Sequence, residues 1–381
     1  MHERNRILVL ADAHSIHTEK WIEGLAMDPL SDFYIINLNS DPTRASIKSH
    51  PRVIKVFELG LKKVKTRGGN FGYLLKVPKI YLISRTIKPH IISTIFLTSY
   101  GLIGSLIKNG KQKLFHHLIG TDVMVTSTKN FAYRLAAKFS LSRADLIMCV
   151  SQAIAAKVNA IHPPSETKSF TLQYGVKEKL LELEPDQTKK FDFVSNRAWV
   201  ANSNITLILE IFARLPGKYS LQLIGGGGPL ASSINSLANQ TSGVTLAGIV
   251  DHPTLVKMVS DSRFFLSWTT SDGAPLSLME AMALGCVPIV SDTAPNREWI
   301  RHLLNGFLIP LNNDKDGLDI VLTALAQPEH VLEKMRNINR SIIRERGCFE
   351  SNMGLVCRKI QDVLNANRST KANTAKAVKE L

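Results

Sequence analysis

The stretch from Trp268 to Pro310, WTTSDGAPLSLMEAMALGCVPIVSDTAPNREWIRHLLNGFLIP, constrains this chain more than any other. The apolar run Arg263 to Trp268 (RFFLSW) reads as a buried strand, and a polar loop with Asp272, Gly273 and Pro275 follows it. Pro275 suits a first helical position, where a missing N–H costs nothing. Leu276 to Leu284 is apolar and helix-forming with one charge, Glu280; Gly285 ends it, and Val287 to Val290 is the next strand. Strand, loop, helix and strand make a βαβ unit. The N-terminus of its helix faces the carboxyl ends of the strands, where free N–H groups bind anions, phosphate above all.

Glu280 has only apolar helix neighbours, so it points into a poorly hydrated place, where a carboxylate must be paired or hydrogen-bonded. A structural ion pair or an exposed helix face would account for it equally well. Asp272, eight residues earlier, would by itself read as a capping or turn residue.

Together these residues resemble the donor-binding signature of the family 4 retaining glycosyltransferases, which have the GT-B fold. That signature is Glu, seven residues, Glu, then Ala-Met-Ala, a small residue, Gly, and a Pro before a strand. Here Asp272 is followed by seven residues, Glu280 and AMALGCVPIVSD, with the family's NGFL-type ending at Asn305 to Leu308. In the family the first acid contacts the donor sugar and the second the ribose. The departure is Asp272 for the first Glu, one methylene shorter.

The resemblance implies an α/β chain of GT-B type: two Rossmann-like domains facing across a cleft, with a C-terminal helix returning to the first. Residues 1–180 would bind the acceptor and 190–350 the sugar nucleotide; 351–381 would be the returning helix and a basic tail. The linker would be Lys177 to Lys190, charged and carrying Pro185. Composition fits two globular domains: 381 residues, 44% hydrophobic and 21% charged, with no apolar run long enough to span a bilayer. The charged start, MHERNRILVLADAHS, is not a convincing signal peptide. Four cysteines without a Cys-x-x-Cys pair suit reduced thiols in cytosol.

The net charge of +15 attracts phosphate-rich partners. It is uneven: between Lys55 and Lys113 the only acid is Glu58. Lys62, Lys63, Lys65 and Arg67, with Phe71, Tyr73 and Leu74 just beyond, read as a basic amphipathic surface for anionic lipid, or as a solvated face. No nucleic-acid recognition motif is present, so charge by itself carries no nucleic-acid partner.

Along the chain, strands are expected at Arg6–Ala11, Asp32–Leu38, Val53–Leu59, Ile91–Phe96 and Arg143–Val150 in the first half, alternating with helices as in a parallel sheet. His14 and His17 lie in the loop after the first strand, at the strand end where open α/β sheets bind ligands. His116, His117 and Asp122 lie where many family members carry a catalytic-site His; sequence does not choose among them. In the second half, family members have Gly-Arg and then a Lys, two cations that hold the donor diphosphate. Arg197 matches the first; Asn202, Ser203 and Asn204 stand where the Lys is expected. An amide binds phosphate more weakly than a charge-assisted pair. Lys257 or Arg297 would have to substitute, or activity would be low. The glycine loop Gly225 to Pro229 fails the dinucleotide fingerprint, having Leu230 in place of the third Gly and no acid until Asp251.

The expected function is transfer of a sugar from a UDP- or GDP-type nucleotide sugar to a glycan or lipid-linked acceptor in surface polysaccharide or lipopolysaccharide synthesis. The resemblance implies no bound metal and no cofactor beyond that substrate. Glu280, Gly273, Ala274, Pro275, Leu276, Gly226 and Gly227 would bind the donor; Asp272, Arg197, His17 and Asp122 would serve catalysis. The location would be cytoplasmic, peripheral on the inner membrane face. The rival reading is a catalytically silent sugar-nucleotide-binding or scaffold protein, which the missing Lys and the Asp272 change favour.

Overall fold

The structure is a computed structural model and describes residues 4–61, 70–124, 127, 129–184, 188–273, 275–311 and 314–379. The chain forms two compact units, Met1–Tyr174 with Glu350–Leu381, and Gly175–Phe349. Lys62, Lys63, Lys65, Arg67 and Ala274 lie outside the described residues.

The first unit holds seven parallel strands: β1 (Asn5–Ala11), β2 (Ser31–Asn39), β3 (Val53–Leu61), β4 (Ile91–Ile95), β5 (Lys113–Leu118), β6 (Leu146–Cys149) and β7 (Ser169–Thr171). Their order is β3-β2-β1-β4-β5-β6-β7. The central strands are near-continuous apolar runs, as a sheet covered on both faces requires; Leu8, Val9 and Leu10 are fully buried. From β1 to β3 the chain moves one way across the sheet, and from β3 to β7 the other. Right-handed crossovers therefore place the helices Val77–Ile87, Leu102–Ile107 and Phe131–Arg143 on one face and Ile16–Leu25 on the opposite one. The last helix, Phe349–Lys379, joins this unit from Glu350 on. It lies against Ile16–Leu25 at Gly24, where a Cβ would stand 2.4 Å from Met353 Cε. Only a glycine allows that approach. The Gln361 side chain donates to Asp28 Oδ2 at 2.9 Å beside it.

The second unit repeats the plan with β8 (Phe191–Ser195), β9 (Leu221–Ile224), β10 (Val244–Gly248), β11 (Ser262–Ser267), β12 (Val287–Ser291) and β13 (Phe307–Ile309), ordered β10-β9-β8-β11-β12-β13 and all parallel. Two apolar layers sandwich this sheet, one around Phe193, Phe264 and Trp268, the other around Val194, Phe265 and Met279. In the second layer the helix Leu276–Ala283 buries Leu278, Met279 and Met282, each worth about 1.5–3 kcal/mol. Buried Arg340 stops that helix by donating to Ala283 O at 2.6 Å, and its other nitrogen reaches Leu181 O at 2.8 Å.

Several elements differ from expectation. The stretch read as the start of a linker forms the helix Glu178–Glu182, and its Leu180 and Leu181 are buried in the second unit's core. Arg143 closes the helix Phe131–Arg143 rather than opening β6, and Asp145 accepts from Lys108 Nζ at 2.6 Å and from Leu114 N at 2.7 Å. Tyr73 was read as part of a membrane-facing surface; instead it is buried and its hydroxyl donates to Asn39 Oδ1. An aromatic ring with a polar tip satisfies either an interface or a core, and here the partner amide lies at the end of β2.

Candidate active site

In open parallel sheets ligands bind beyond the carboxyl ends of the strands, where strand order reverses. In the second unit that point lies between β8 and β11, which are neighbours in the sheet. Arg197 follows β8 and Asp272 follows β11, so topology brings two residues 75 apart in sequence together. Arg197 Nη2 donates to Asp272 Oδ2 at 2.7 Å and Nη1 reaches Ser277 Oγ at 3.5 Å; both members of the ion pair are largely buried. The helix Leu276–Ala283 begins after Pro275, whose own side chain offers no cap, and its first turn lies beside the Arg197–Asp272 pair. Gly273, Pro275 and Leu276 lie on this turn.

Asn202, where the resemblance places a phosphate-binding Lys, has a different task. Its Oδ1 accepts from Ser271 N at 3.0 Å and from the Thr270 hydroxyl, and its Nδ2 donates to Ser271 O at 2.8 Å. Thr270 N donates to Asn202 O at 3.0 Å. Asn204, held at a positive φ of 48°, donates from Nδ2 to Trp268 O at 3.0 Å. The two amides lace the loop after β8 to the loop after β11 and hold Asp272 toward Arg197. The cations considered as substitutes for the Lys are engaged elsewhere: Lys257 with Asp261 at 3.5 Å, Arg297 with Asp292 at 2.7 Å.

The glycine loop after β9 lies against the same segment. A Cβ at Gly225 would stand 2.9 Å from Arg197 O, and one at Gly228 2.9 Å from Trp199 O, both at positive φ. Gly226 packs near Ile249, while a Cβ at Gly227 would meet nothing. Ser195 Oγ, Asn196 Oδ1 and Trp199 Nε1 are buried there without a hydrogen-bond partner. A buried polar group left unpaired costs about 1–3 kcal/mol, so these atoms fit a ligand or ordered water. Glu280, one turn into its helix, keeps its side chain 14% exposed, and Oε1 lies 3.6 Å from His252 Nε2. His252 opens the helix His252–Ser260 behind an Asp251 cap and is an addition to the sequence-derived set.

The first unit's corresponding point is β1 beside β4. Phe96, just after β4, has φ 76°, a conformation costly for a bulky side chain and typical of functional sites. The next residue, Leu97, donates its N–H to Asp122 Oδ2, and Asp122 Oδ1, also buried, has no partner among the described residues. Burial pushes the Asp122 carboxyl up to about 6, against backbone N–H groups led by Leu97 that pull it down. His116 is structural: Nδ1 meets Thr94 Oγ1 at 2.7 Å, Nε2 meets Ser140 O at 3.0 Å, and burial lowers it to about 4. His117 is also buried, stacked on Trp21 at 4.4 Å between centroids, and its Nδ1 lies 3.0 Å from the Tyr174 hydroxyl. The Tyr174 hydroxyl also donates to His17 O at 3.2 Å, so its single proton is committed there. It therefore accepts from His117 Nδ1–H, which leaves Nε2 a bare, unpartnered lone pair. His17 itself starts the helix capped by Ser15, its ring 6.3 Å from that of Tyr174.

Comparison with known proteins agrees with this architecture. A family model described as "Glycosyl transferase 4-like" matches residues 6–151, and one described as "Glycosyl transferases group 1" matches residues 177–342. The amylovoran biosynthesis glycosyltransferase AmsK of Erwinia amylovora is 25% identical over 303 residues, covering 73% of this chain and 70% of AmsK. The GtfA subunit of the UDP-N-acetylglucosamine–peptide N-acetylglucosaminyltransferase of Streptococcus agalactiae is 25% identical over 163 residues, 42% of this chain; the match spans only 32% of GtfA. Among solved structures, sucrose-phosphate synthase of Thermosynechococcus elongatus superposes with a TM-score of 0.79 at 16% identity, covering 95% of this chain and 100% of that one. Anabaena HepE, in complex with UDP and glucose, gives 0.74 at 14% identity with the same coverage. With both halves matched and the two sheets in place, the chain belongs to the family 4-like, group 1 glycosyltransferases of GT-B fold and is a glycosyltransferase.

Proposed function

We propose that this enzyme takes a sugar from a UDP-type nucleotide sugar, with GDP sugars as the alternative donors, and passes it with retained configuration to a glycan or lipid-linked acceptor of surface polysaccharide synthesis. The observation that carries the reading is the Arg197–Asp272 pair beside the uncapped turn at Leu276. A donor diphosphate replaces Asp272 as the partner of Arg197 and takes hydrogen bonds from the N–H groups of the turn at Leu276. Asp272, released, turns to the sugar hydroxyls, and Glu280 accepts hydrogen bonds from the ribose. As the bond from sugar to phosphate breaks, charge grows on the leaving diphosphate, and Arg197 offsets it.

In the first unit, Asp122 has a buried oxygen that lacks a partner among the described residues and a carboxyl raised to about 6, and this reading gives it the task of taking the proton of the attacking acceptor hydroxyl. His17 lines the acceptor side. No metal enters this scheme, so turnover should survive chelation. The reading places the enzyme in the cytoplasm, where nucleotide sugars are made; no helix among the described residues is long and apolar enough to cross a membrane.

Asn202 in place of a cation favours a second reading, a sugar-nucleotide-binding protein without turnover. Hydrolysis of UDP- and GDP-sugars by the purified chain separates the two. Release of free sugar that Arg197→Gln abolishes supports the enzyme, whereas tight UDP binding with no release from any donor supports the silent binder.

A further inference from the structure

The helix Phe131–Arg143 presents Phe131, Leu135 and Phe139 to solvent, 81%, 56% and 39% exposed. Their spacing of four residues places them in one stripe about 12 Å long. Exposed Arg134, Lys138 and Arg143 flank it. The opposite side of the same helix, Tyr133, Ala137 and Leu141, is already buried in the unit, so the stripe is a second apolar face that the fold does not use.

The stripe has neighbours. The helix Leu102–Ile107 packs between Phe131–Arg143 and Val77–Ile87 and exposes Leu106. Beyond it, Leu82 is 65% exposed and Leu75 82%, interspersed with exposed Lys79 and Arg85. Three helices on one side of the sheet thus form a layer whose outer surface carries large apolar side chains among cations. Across residues 59–144 the sequence has a single acid, Asp122, and it is buried. A surface meant only for water would mix both signs and keep its phenylalanines inside. A protein partner would ordinarily be met by charges of both kinds. Cations ringing a central apolar stripe, with no carboxylate to repel phosphate, match the headgroup layer of an anionic membrane.

We propose that the outer layer of Val77–Ile87, Leu102–Ile107 and Phe131–Arg143 docks on an anionic lipid bilayer, with Phe131, Leu135 and Phe139 entering the headgroup–acyl boundary. The cations release counterions from the lipid surface and hold the helix parallel to it, and the stripe supplies the contact that salt does not screen. This deepens the lipid-linked acceptor read above and rests on it for its purpose. The helix that carries the stripe lies about seventy residues further along the chain than the stretch around Lys62, which is outside the described residues.

The test uses the full chain and sedimentation with vesicles of phosphatidylcholine, with or without phosphatidylglycerol. The wild type should pellet with the phosphatidylglycerol vesicles only. The triple variant Phe131→Ser, Leu135→Ser, Phe139→Ser should lose roughly tenfold or more of that binding at physiological salt. UDP binding by the variant should match the wild type, which shows that it is folded and keeps this result separate from the donor assignment. In Phe131→Trp, the added indole emission should shift to the blue on the same vesicles. A triple variant that pellets like the wild type overturns the proposal, as does an unshifted indole. So does a wild type that ignores both vesicle types but forms a dimer which the triple variant dissolves, because the stripe would then be an interface between two copies.

Discussion

The carboxyl ends of the two sheets invite comparison, because both sheets share the strand order 3-2-1-4-5-6, with a seventh strand added in the first, and carry different chemistry at the point of reversal. In the second unit the point holds a charged pair, two amides lacing adjacent loops, glycines with no side chain to fill the space, and an uncapped helix turn. In the first unit it holds groups whose charged form burial disfavours: His116 and His117 pushed down, and Asp122 pushed up. On the proposed reading one topology builds an anion site and a proton-accepting site, and the difference lies in the loops. A fold match alone predicts neither; the side chains after β8, β11, β4 and β5 do.

The largest expected effect comes from removing the charge of the anion site. Arg197→Gln should cut turnover by about 100–1000-fold, the range for loss of a group that stabilises a developing anion. Asp272→Asn sharpens the point by leaving Arg197 without its internal partner. It should bind free UDP more tightly than the wild type while transferring sugar more slowly. Weaker UDP binding by Asp272→Asn would mean that the pair is structural.

Asp122→Asn tests the other sheet and should act on stability in a pH-dependent way. The carboxyl is higher in the folded protein than in the open chain, so it favours folding below its ordinary pKa and that contribution is lost as pH rises through about 6. At pH 7–8 the amide should therefore raise stability, by about 1–3 kcal/mol after allowing for its unpaired NH2. It should also remove the acid limb near pH 6 from the pH–rate profile. Thermal melts at pH 5 and 8 check the first claim. His116 pulls the opposite way: lowered to about 4, it favours folding above its ordinary pKa, and that contribution is lost as pH falls toward 4.

The smallest effect expected is at Asn202. Asn202→Ala deletes the bonds to Thr270 and Ser271, costing about 1 kcal/mol, with a several-fold rise in donor KM and little change in kcat. Asn202→Lys restores a cation and loses the clamp; if phosphate charge matters more than loop order, UDP affinity rises instead.

These contrasts also mark what sequence alone can read. Glu280, Asp272 and Arg197 stand out because their types and spacing recur around strand–loop–helix units, and strands such as β1 and β12 carry long apolar runs. The Asn202 clamp is invisible in sequence, since its partners Thr270 and Ser271 lie 68 and 69 residues further along the chain. The Tyr174–His117 bond is invisible for the same reason: 57 residues separate the two, and only the folded sheet brings them together. Tyr73 is buried rather than at the expected surface, since it lies in an amphipathic stretch, where pattern shows two faces and not which one the core takes. The basic run at Lys62 had the loudest charge; the exposed stripe at Phe131 lay inside what looked like an ordinary helix.

Calorimetric titration of UDP into wild type and Glu280→Gln tests the central claim most directly. The substitution keeps size and helix and removes the charge that would accept the ribose hydroxyls. UDP should bind the wild type and lose about 1.5–3 kcal/mol of affinity in the variant, with both melting alike. Equal affinity in the two proteins would contradict the assignment of the second unit's strand-reversal point as the nucleotide site and return Glu280 to the role of a structural partner of His252.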